Sequence, residues 1–596
     1  MILILGGTTE GRMAVKTLDE AGSPFYYSTR SEEQEVVLHH GIRISGGMDA
    51  LQLTDFCREH KILLIVDAGH PFAEQLHQTV VDVAQSLQLP AIRVERIFPP
   101  HTSNITWCTD YDAARQALLS AGVKRLLALT GVQTIRKLKS LTDEGVECFY
   151  RILQRQSSLD MAHRQGITDD HLCFYQMGDA DSPLDSEADE LELMRKLRPD
   201  AILTKESGKT GGFQQKVEAA RQLGIRVFAV CRPATPAYFH RVNGPYGLRR
   251  MVEKLLPDFF PLHSGLTTGT CATAAAIAAT ERLFRQQKPT EVPVLLPNGE
   301  TISVPVAYGE GYAYVIKDSG DDPDITKGME IRAQVSPSDH FEIRAGEGIG
   351  TITLPGFDYP PGSPAINKGP RQMLRANIRE EVCITLSIPG GREIAHRTFN
   401  PRLGIEGGIS VIGVSGIIMP FSLDGFINSI RKCMQVARAT GCDRVVINSG
   451  AKSEGYVKAF YPDLPPQVFV EYGNFIGETI QAAHAEGFRK LTLGIMIGKA
   501  VKLAAGHLDT HSKHVVMDTA FIRSLAAEAG CPAEVLSAID SLNMARDLWK
   551  LIPEASLSSF VQLLLQRCHA VCAPLFPDGN LEVLLISEKG QIYQLE

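Results

Sequence analysis

The chain has 596 residues, with 60 Lys and Arg against 68 Asp and Glu, and a formal net charge of −8. That length corresponds to roughly four domains of ordinary size, and the acidic balance argues against a duplex nucleic acid as partner. The 12 cysteines are too sparse for a disulfide-stapled secreted domain and read as reduced thiols of a cytoplasmic protein. No run of about 20 apolar residues exists, so no membrane span is expected, and the apolar start Met1 to Leu5 is too short for a signal peptide.

Ile2 to Leu5 reads as a buried strand, followed by the turn Gly6-Gly7-Thr8-Thr9-Glu10-Gly11-Arg12 and a segment of helical spacing from Met13 to Leu18. A strand, a glycine turn and a helix make the first unit of a doubly wound fold. Gly6, Gly7, Thr8 and Gly11 depart from the G-x-G-x-x-G spacing, yet they allow close backbone approach of a phosphate to a helix N-terminus. A second strand, Phe25 to Ser28, runs into Thr29-Arg30. The acid that holds a ribose hydroxyl in NAD sites is missing here, and Arg30 suits a 2′-phosphate. A third strand, Ile62 to Val66, ends in Asp67-Ala68-Gly69-His70-Pro71-Phe72-Ala73. His70 is placed either to position or protonate a substrate near neutral pH or to cap the next helix. Arg93-Val94-Glu95-Arg96 closes a further strand.

A second lobe is expected from about Arg125, where a strand to Leu129 leads into Thr130-Gly131. Ala201 to Thr204 forms a strand before Lys205-Glu206-Ser207-Gly208-Lys209-Thr210-Gly211-Gly212, a candidate anion-binding loop without Walker A spacing. Val227 to Val230 is the last strand and ends near Arg232-Pro233. These pieces (GGTTEGR, DAGHPFA, RVER, the mid-chain Thr-Gly, KESGKTGG and the downstream Arg-Pro) resemble the precorrin-6A reductases, the CobK/CbiJ family, over residues 1 to 250. Gly69 stands where relatives usually carry Thr, and Glu206 where Asn is common. The resemblance implies a nicotinamide cofactor, NADH or NADPH, between two Rossmann-like lobes. It also implies reduction of one double bond of a corrin precursor, with His70, Lys205 and Ser207 at the lobe interface.

A second protein starts at the stretch His263 to Thr280, HSGLTTGTCATAAAIAAT. Thr268, Gly269 and Thr270 lie in a turn of small hydroxyl residues ahead of an alanine-rich helix. Such a turn either caps the helix or gathers donors for an anionic group. Cys271 reads as a packing residue. Strands follow at Glu291 to Leu296, Ile302 to Val306 and Tyr314 to Lys317. Asp318, Asp321, Asp322 and Asp324 make either an exposed acidic turn or a divalent-cation loop, although the EF-hand spacing is absent. Gly404, Gly407, Gly408, Gly413 and Gly416 surround the apolar run Ile409 to Val414. They describe a strand approached closely, either by a methyl donor or by another part of the chain.

From Phe426 onward helices and strands alternate, with strands at Arg444 to Ile447, Val468 to Val470 and Leu491 to Ile495. Lys499, Lys502, His507 and His511 are expected in one short helical segment. The two histidines at i, i+4 would then share a face. No HExxH glutamate separates them, so a basic patch for carboxylates fits better than zinc. Cys568, His569 and Cys572 do not complete a zinc site and read as helix packing. The chain is expected to be helical from about 519 to 572, with a hairpin around Pro577 to Asn580.

The motifs LTTGTCA, KDSGDDPDITKG, GEGIGTIT, NPRLGIEGGIS and GKAVKLAAGHLDTHSK resemble, in order, the cobalt-precorrin-5B C1-methyltransferases, the CbiD family. The resemblance implies S-adenosyl-L-methionine as methyl donor, here assigned to Thr268, Gly269, Thr270, Gly407, Gly408 and Gly413. It implies a cobalt-containing precorrin as substrate, whose carboxylates would pair with Arg371, Arg402, Lys499, Lys502, His507 and His511. No metal site is assigned. The expected fold class is α/β. Two Rossmann-like lobes span 1–124 and 125–258, an α+β lobe spans 259–415, and an α/β lobe with a helical tail spans 416–596. The expected function is bifunctional: methylation of C1 of cobalt-precorrin-5B by the C-terminal half, then reduction of cobalt-precorrin-6A by the N-terminal half. Two alternatives are another NAD(P)-dependent reductase and a non-catalytic tetrapyrrole scaffold in the N-terminal half. The missing ribose acid and the lack of a Tyr-x-x-x-Lys pair argue against a short-chain reductase.

Overall fold

Short strands buried on both faces build the N-terminal region. A computed structural model describes residues 1–30, 35–175, 186–511 and 515–595, in two units. The first unit comprises Met1–His263 and the hairpin tip Leu295–Ser303. Its first sheet contains β1 (Ile2–Leu5), β2 (Phe25–Thr29), β3 (Gly41–Ser45), β4 (Leu64–Asp67), β5 (Ala91–Val94) and β12 (His240–Val242). Its second sheet contains β6 (Thr106–Cys108), β7 (Arg125–Ala128), β8 (Glu147–Leu153), β9 (Leu172–Tyr175), β10 (Ala201–Lys205) and β11 (Arg226–Val230). All pairings in both are parallel. Helices therefore cover both faces, and the strands read as continuous apolar runs.

The strand orders are β12-β5-β4-β1-β2-β3 and β6-β11-β10-β7-β8-β9. Each is a doubly wound sheet whose order reverses at its centre, between β1 and β4 in one and between β7 and β10 in the other. Ligands of such sheets bind outside the carboxyl ends of the strands at these reversals. The two edge strands are exchanged along the chain. β6 joins the second sheet beside β11 before the expected start at 125, and β12 returns to the first sheet beside β5. The segments 1–124 and 125–258 are therefore not self-contained lobes. The exchanged strands are three residues each, too short to carry a pattern of their own.

The second unit comprises Ser264–Val294 and Val304–Glu596. Its first part packs the helix Thr268–Arg285 against a mixed sheet, in the order Ala307–Tyr308, Ala313–Ile316, Glu330–Pro337, Val382–Ser387, Glu342–Ala345. Alanine and threonine let this helix sit almost wholly buried, with Thr267 as its N-cap. Ile417–Ile418 pairs antiparallel with Gly265–Leu266.

The second part is a parallel sheet in the order Phe469–Glu471, Arg444–Asn448, Lys490–Met496, Asn580–Ile586, ending in the antiparallel Ile592–Gln594. The stretch from 519 to 572 is helical, as expected, and two strands follow it. The expected hairpin at Pro577 to Asn580 is instead the turn that feeds Asn580–Ile586 into the sheet. The true hairpin follows that strand. Cys568 and Cys572 face the core from the helix Glu554–Cys572, and none of the 12 cysteines forms a disulfide. Among the described residues no helix is long and apolar enough to cross a membrane.

Candidate functional site

In the first unit the polar residues gather at the two sheet reversals. After β1, Gly7 sits at φ +95° with open space where a side chain would stand, and its N–H donates to the Tyr27 hydroxyl at 3.1 Å. Thr8 caps the helix Thr9–Asp19 by accepting from the Gly11 N–H at 3.1 Å. Its hydroxyl donates to the Ala68 carbonyl at 2.6 Å, which joins the loops after β1 and β4. Arg30 follows β2 directly and is exposed.

The loop after β4 is clamped from below. Asp67, fully buried, accepts from Arg93 Nη1 at 2.9 Å and from the Gly69 N–H at 2.9 Å, and it contacts His77 Nδ1 at 2.6 Å. Arg93 Nη2 also donates to the Gly69 carbonyl, and His77 Nε2 lies 3.1 Å from the His70 carbonyl. This buried charge is paired and hydrogen-bonded, as burial requires. His70 Nδ1 accepts from the Phe72 N–H at 3.2 Å, which leaves the ring proton on Nε2. Burial, then Arg96, Lys205 and Arg93, push the His70 pKa down to about 3. His70 is thus placed as a neutral hydrogen-bond donor, which favours positioning a substrate over protonating it. It does not cap the next helix either, whose N-cap position is Ala73.

The second sheet brings Lys205, the last residue of β10, to this loop. Its Nζ lies 5.4 Å from the Phe72 ring centroid, and no carboxylate pairs with it among the described residues. Burial, then Lys137 and Lys216, lower its pKa to about 8. Ser207 has another part. Its hydroxyl donates to the Gly211 carbonyl at 3.1 Å and its own carbonyl accepts from Arg96 Nη1 at 2.8 Å, so it shapes the loop rather than facing a ligand.

Two buried acids here have no assigned role in the sequence reading. Glu10 pairs with Arg96 at 2.9 Å and accepts from the Thr210 hydroxyl at 2.5 Å. Glu206, 2% exposed, pairs with Arg232 and His101. The donor atoms of His101, Glu206 and Cys231 lie within 4.8 Å of one another. The Arg232 guanidinium already on Glu206 opposes a cation there.

In the second unit, the Thr268-Gly269-Thr270 turn is closed by the chain itself. The Thr268 hydroxyl donates to the Ile412 carbonyl at 3.0 Å and the Thr270 hydroxyl to the Gly416 carbonyl at 2.6 Å. Gly269 packs on Pro370, Gly408 on the Gly348 backbone, and Gly413, at φ +153°, on Thr267. Protein therefore packs on Gly408 and Gly413, while Gly407, Ile412 and Val414 stay exposed. The Thr268 and Thr270 hydroxyls are thus engaged by the chain itself, and of the expected donor-binding glycines Gly407 has open space beside it.

The acidic turn is likewise built around a lysine. Lys317, 1% exposed on its side chain, pairs with Asp324 at 2.5 Å and donates to Ser319 at 2.7 Å. Asp318 caps its own turn through the Gly320 N–H.

Of the expected substrate residues, the structure brings Arg402 and Lys499 together beside Glu454 and Glu471. Arg402 Nη2 donates to Glu454 Oε1 at 2.6 Å, and Lys499 Nζ donates to the Gly473 carbonyl. Burial lowers the Lys499 pKa to about 8, with Lys502 adding to the effect. Burial, then Glu454, raises that of Glu471. Lys502 donates to the Thr510 carbonyl at 3.3 Å. Arg371 lies over Tyr359 and donates to the Ile366 carbonyl. The helix carrying the lysines ends at Ala504, and Gly506 at φ +99° turns the chain. His507 and His511 therefore lie in the following loop and share no helical face. Ser512 and Lys513, at the end of that motif, lie outside the described residues.

Comparison with known proteins agrees with both halves. Residues 1–246 match the family model Precorrin-6x reductase CbiJ/CobK, residues 258–420 match CbiD, and residues 509–594 match the CbiD C-terminal domain. The cobalt-precorrin-5B C(1)-methyltransferase of Prosthecochloris aestuarii is 39% identical over 346 residues, 55% of this chain and 94% of that one. That of Geobacillus kaustophilus is 40% identical over 323 residues, 52% of this chain and 87% of that one. Among solved structures, a cobalamin biosynthesis protein (cbiD) from Archaeoglobus fulgidus aligns with 42% of this chain and 83% of its own, at 28% identity and TM-score 0.25. A CobK precorrin-6A reductase aligns with 43% of this chain and 97% of its own, at 23% identity and TM-score 0.35.

Proposed function

Because the chain belongs to the CbiD family over its C-terminal half and to the CbiJ/CobK family over its first 246 residues, we propose that it performs two consecutive steps of anaerobic cobalamin synthesis. The C-terminal half methylates C1 of cobalt-precorrin-5B, and the N-terminal half reduces the resulting cobalt-precorrin-6A to cobalt-precorrin-6B. The observation that carries this reading is the presence of both families in one chain, since the product of one is the substrate of the other.

In the reductase half, NADH or NADPH would supply a hydride when bound, and the turn at Gly7 with the N-terminus of the helix Thr9–Asp19 would hold its pyrophosphate. Arg30 is the residue placed to meet a 2′-phosphate. Lys205 is the proton donor: no carboxylate pairs with its ammonium among the described residues, and its pKa of about 8 keeps it protonated yet acidic at neutral pH. The His70 Nε2–H orients the substrate by a hydrogen bond.

In the methyltransferase half, S-adenosyl-L-methionine supplies the methyl group. The protein's task is positioning, which is worth roughly 7–11 kcal/mol when reactants are held in line. Arg371 and Lys502 are the cations offered to the substrate carboxylates, since Arg402 is held by Glu454 at 2.6 Å and Lys499 lies beside Glu471. Cys271 is fully buried and plays no part in the transfer.

Anaerobic turnover of cobalt-precorrin-5B by the whole chain tests the reading. With S-adenosyl-L-methionine alone the product gains one methyl group by mass. With NADH or NADPH added it gains two hydrogens, and the active nucleotide is identified. A methyl gain that neither nucleotide advances removes the reductase assignment.

A further inference from the structure

We propose that the ribose of the methyl donor is held at the order reversal of the C-terminal parallel sheet, with Glu471 accepting from its hydroxyls above the Asn448-Ser449-Gly450 turn. This rests on the reading of the C-terminal half as an S-adenosyl-L-methionine-dependent methyltransferase.

The strands Arg444–Asn448 and Lys490–Met496 are parallel neighbours. The chain leaves the first through the helix Ala451–Phe460 towards Phe469–Glu471 on one side. It leaves the second through the helix Ile497–Ala504 and reaches Asn580–Ile586 on the other. The crevice outside their carboxyl ends is where open α/β sheets take their ligands.

The local sequence has the parts of a nucleoside site. Gly450 begins the helix at φ +139°, a conformation disfavoured for residues with side chains, and a Cβ there would stand 3.1 Å from Glu471 Oε1. Glu471 is the last residue of the next strand. In nucleoside-binding βαβ units an acid roughly 20 residues beyond the glycine turn accepts from the ribose hydroxyl. Glu471 has no hydrogen-bond donor among the described residues. Beside it Glu454, 5% exposed, has Oε1 engaged by Arg402 and Lys458, while Oε2 meets no donor. Two acceptors without donors fit a diol. The paired acids also disfavour a substrate carboxylate at this spot.

The test uses the full chain and two probes, S-adenosylhomocysteine and its 2′-deoxyadenosyl counterpart, with affinities by calorimetry. The wild type is expected to bind the ribose form about ten-fold more tightly or better, as loss of a hydrogen bond to a charged acceptor implies. Glu471→Gln should weaken the ribose form and remove the preference, while binding of cobalt-precorrin-5B stays unchanged. Equal affinities of the wild type for the two probes would overturn the proposal without needing a variant. An unchanged preference in a folded Glu471→Gln would overturn it too, with the methyltransferase reading intact. A wild type that neither binds S-adenosylhomocysteine nor transfers methyl would remove the reading beneath it.

Discussion

Glu10 and Arg96 form an ion pair at 2.9 Å with both side chains 6% exposed, and Arg96 reaches from there to the Ser207 carbonyl at 2.8 Å. One arginine thus connects the first helix of one sheet to the loop after β10 of the other. Burial opposes the Glu10 charge, but Arg96 and Thr210 outweigh it and hold its pKa below the usual value. Its contribution to stability is present at neutral pH and is lost as pH falls through the folded pKa, below the ordinary Glu range. Glu10→Gln leaves Arg96 buried without its partner and should destabilise the N-terminal unit by about 3–5 kcal/mol. Thermal melting of the intact chain at pH 7 should show the loss, and it should shrink on acidification. A variant that melts as the wild type does would remove the pair from the account of stability.

Lys205 predicts an alkaline limb. As pH rises through about 8 the ammonium is lost, and the reduction rate should fall with it. Lys205→Ala should lower reduction by about 100-fold or more, with methylation unchanged. Lys205→Arg should retain part of the rate and move the limb upward. The pH profile of kcat/KM for reduction checks all three. A limb that stays near 8 in the arginine variant would assign it to another group.

His70 predicts the absence of a limb. A histidine with a pKa of about 3 does not titrate between pH 6 and 8. His70→Asn should lower kcat/KM by about ten-fold through loss of a neutral hydrogen bond, with the shape of the profile unchanged. If His70 were the acid, the wild type would instead show a limb near 6.5 that vanishes in the variant.

The loop around Lys317 should not respond to divalent cations. Its Asp324 carboxyl is held down by Lys317 against the opposing effect of burial. Calcium, magnesium or a chelator should leave the melting temperature unchanged. Lys317→Met, which leaves Asp324 without its partner, should cost about 3–5 kcal/mol. A stabilising shift on adding cation would restore the cation reading.

Arg93 to Arg96 and Arg232 were legible as motifs but not as roles. An acid in the first turn after a glycine loop signals an unusual N-terminus. Yet Glu10 meets Thr210 across 200 residues, and spacing cannot announce such a pairing. The Thr268 to Thr270 turn stayed open in the sequence for a related reason. Hydroxyls near a helix start look the same whether a ligand or a neighbouring strand accepts from them, and only the position of Ile412 and Gly416 decides. His507 and His511 have helical spacing, but Gly506 breaks the helix before them.

The sequence by itself determined the two family memberships, the parallel α/β character of the N-terminal half and the α/β character of the C-terminal lobe. These follow from local patterns: apolar runs of strand length, glycine turns at their ends and helical periodicity between them. Tertiary structure alone decided the exchange of β6 and β12, the neutrality of His70, the poise of Lys205 and the juxtaposition of Glu471 with Gly450. Each depends on which buried charges and backbones meet through space, because burial and Coulomb interactions act over ångströms and not over sequence separation.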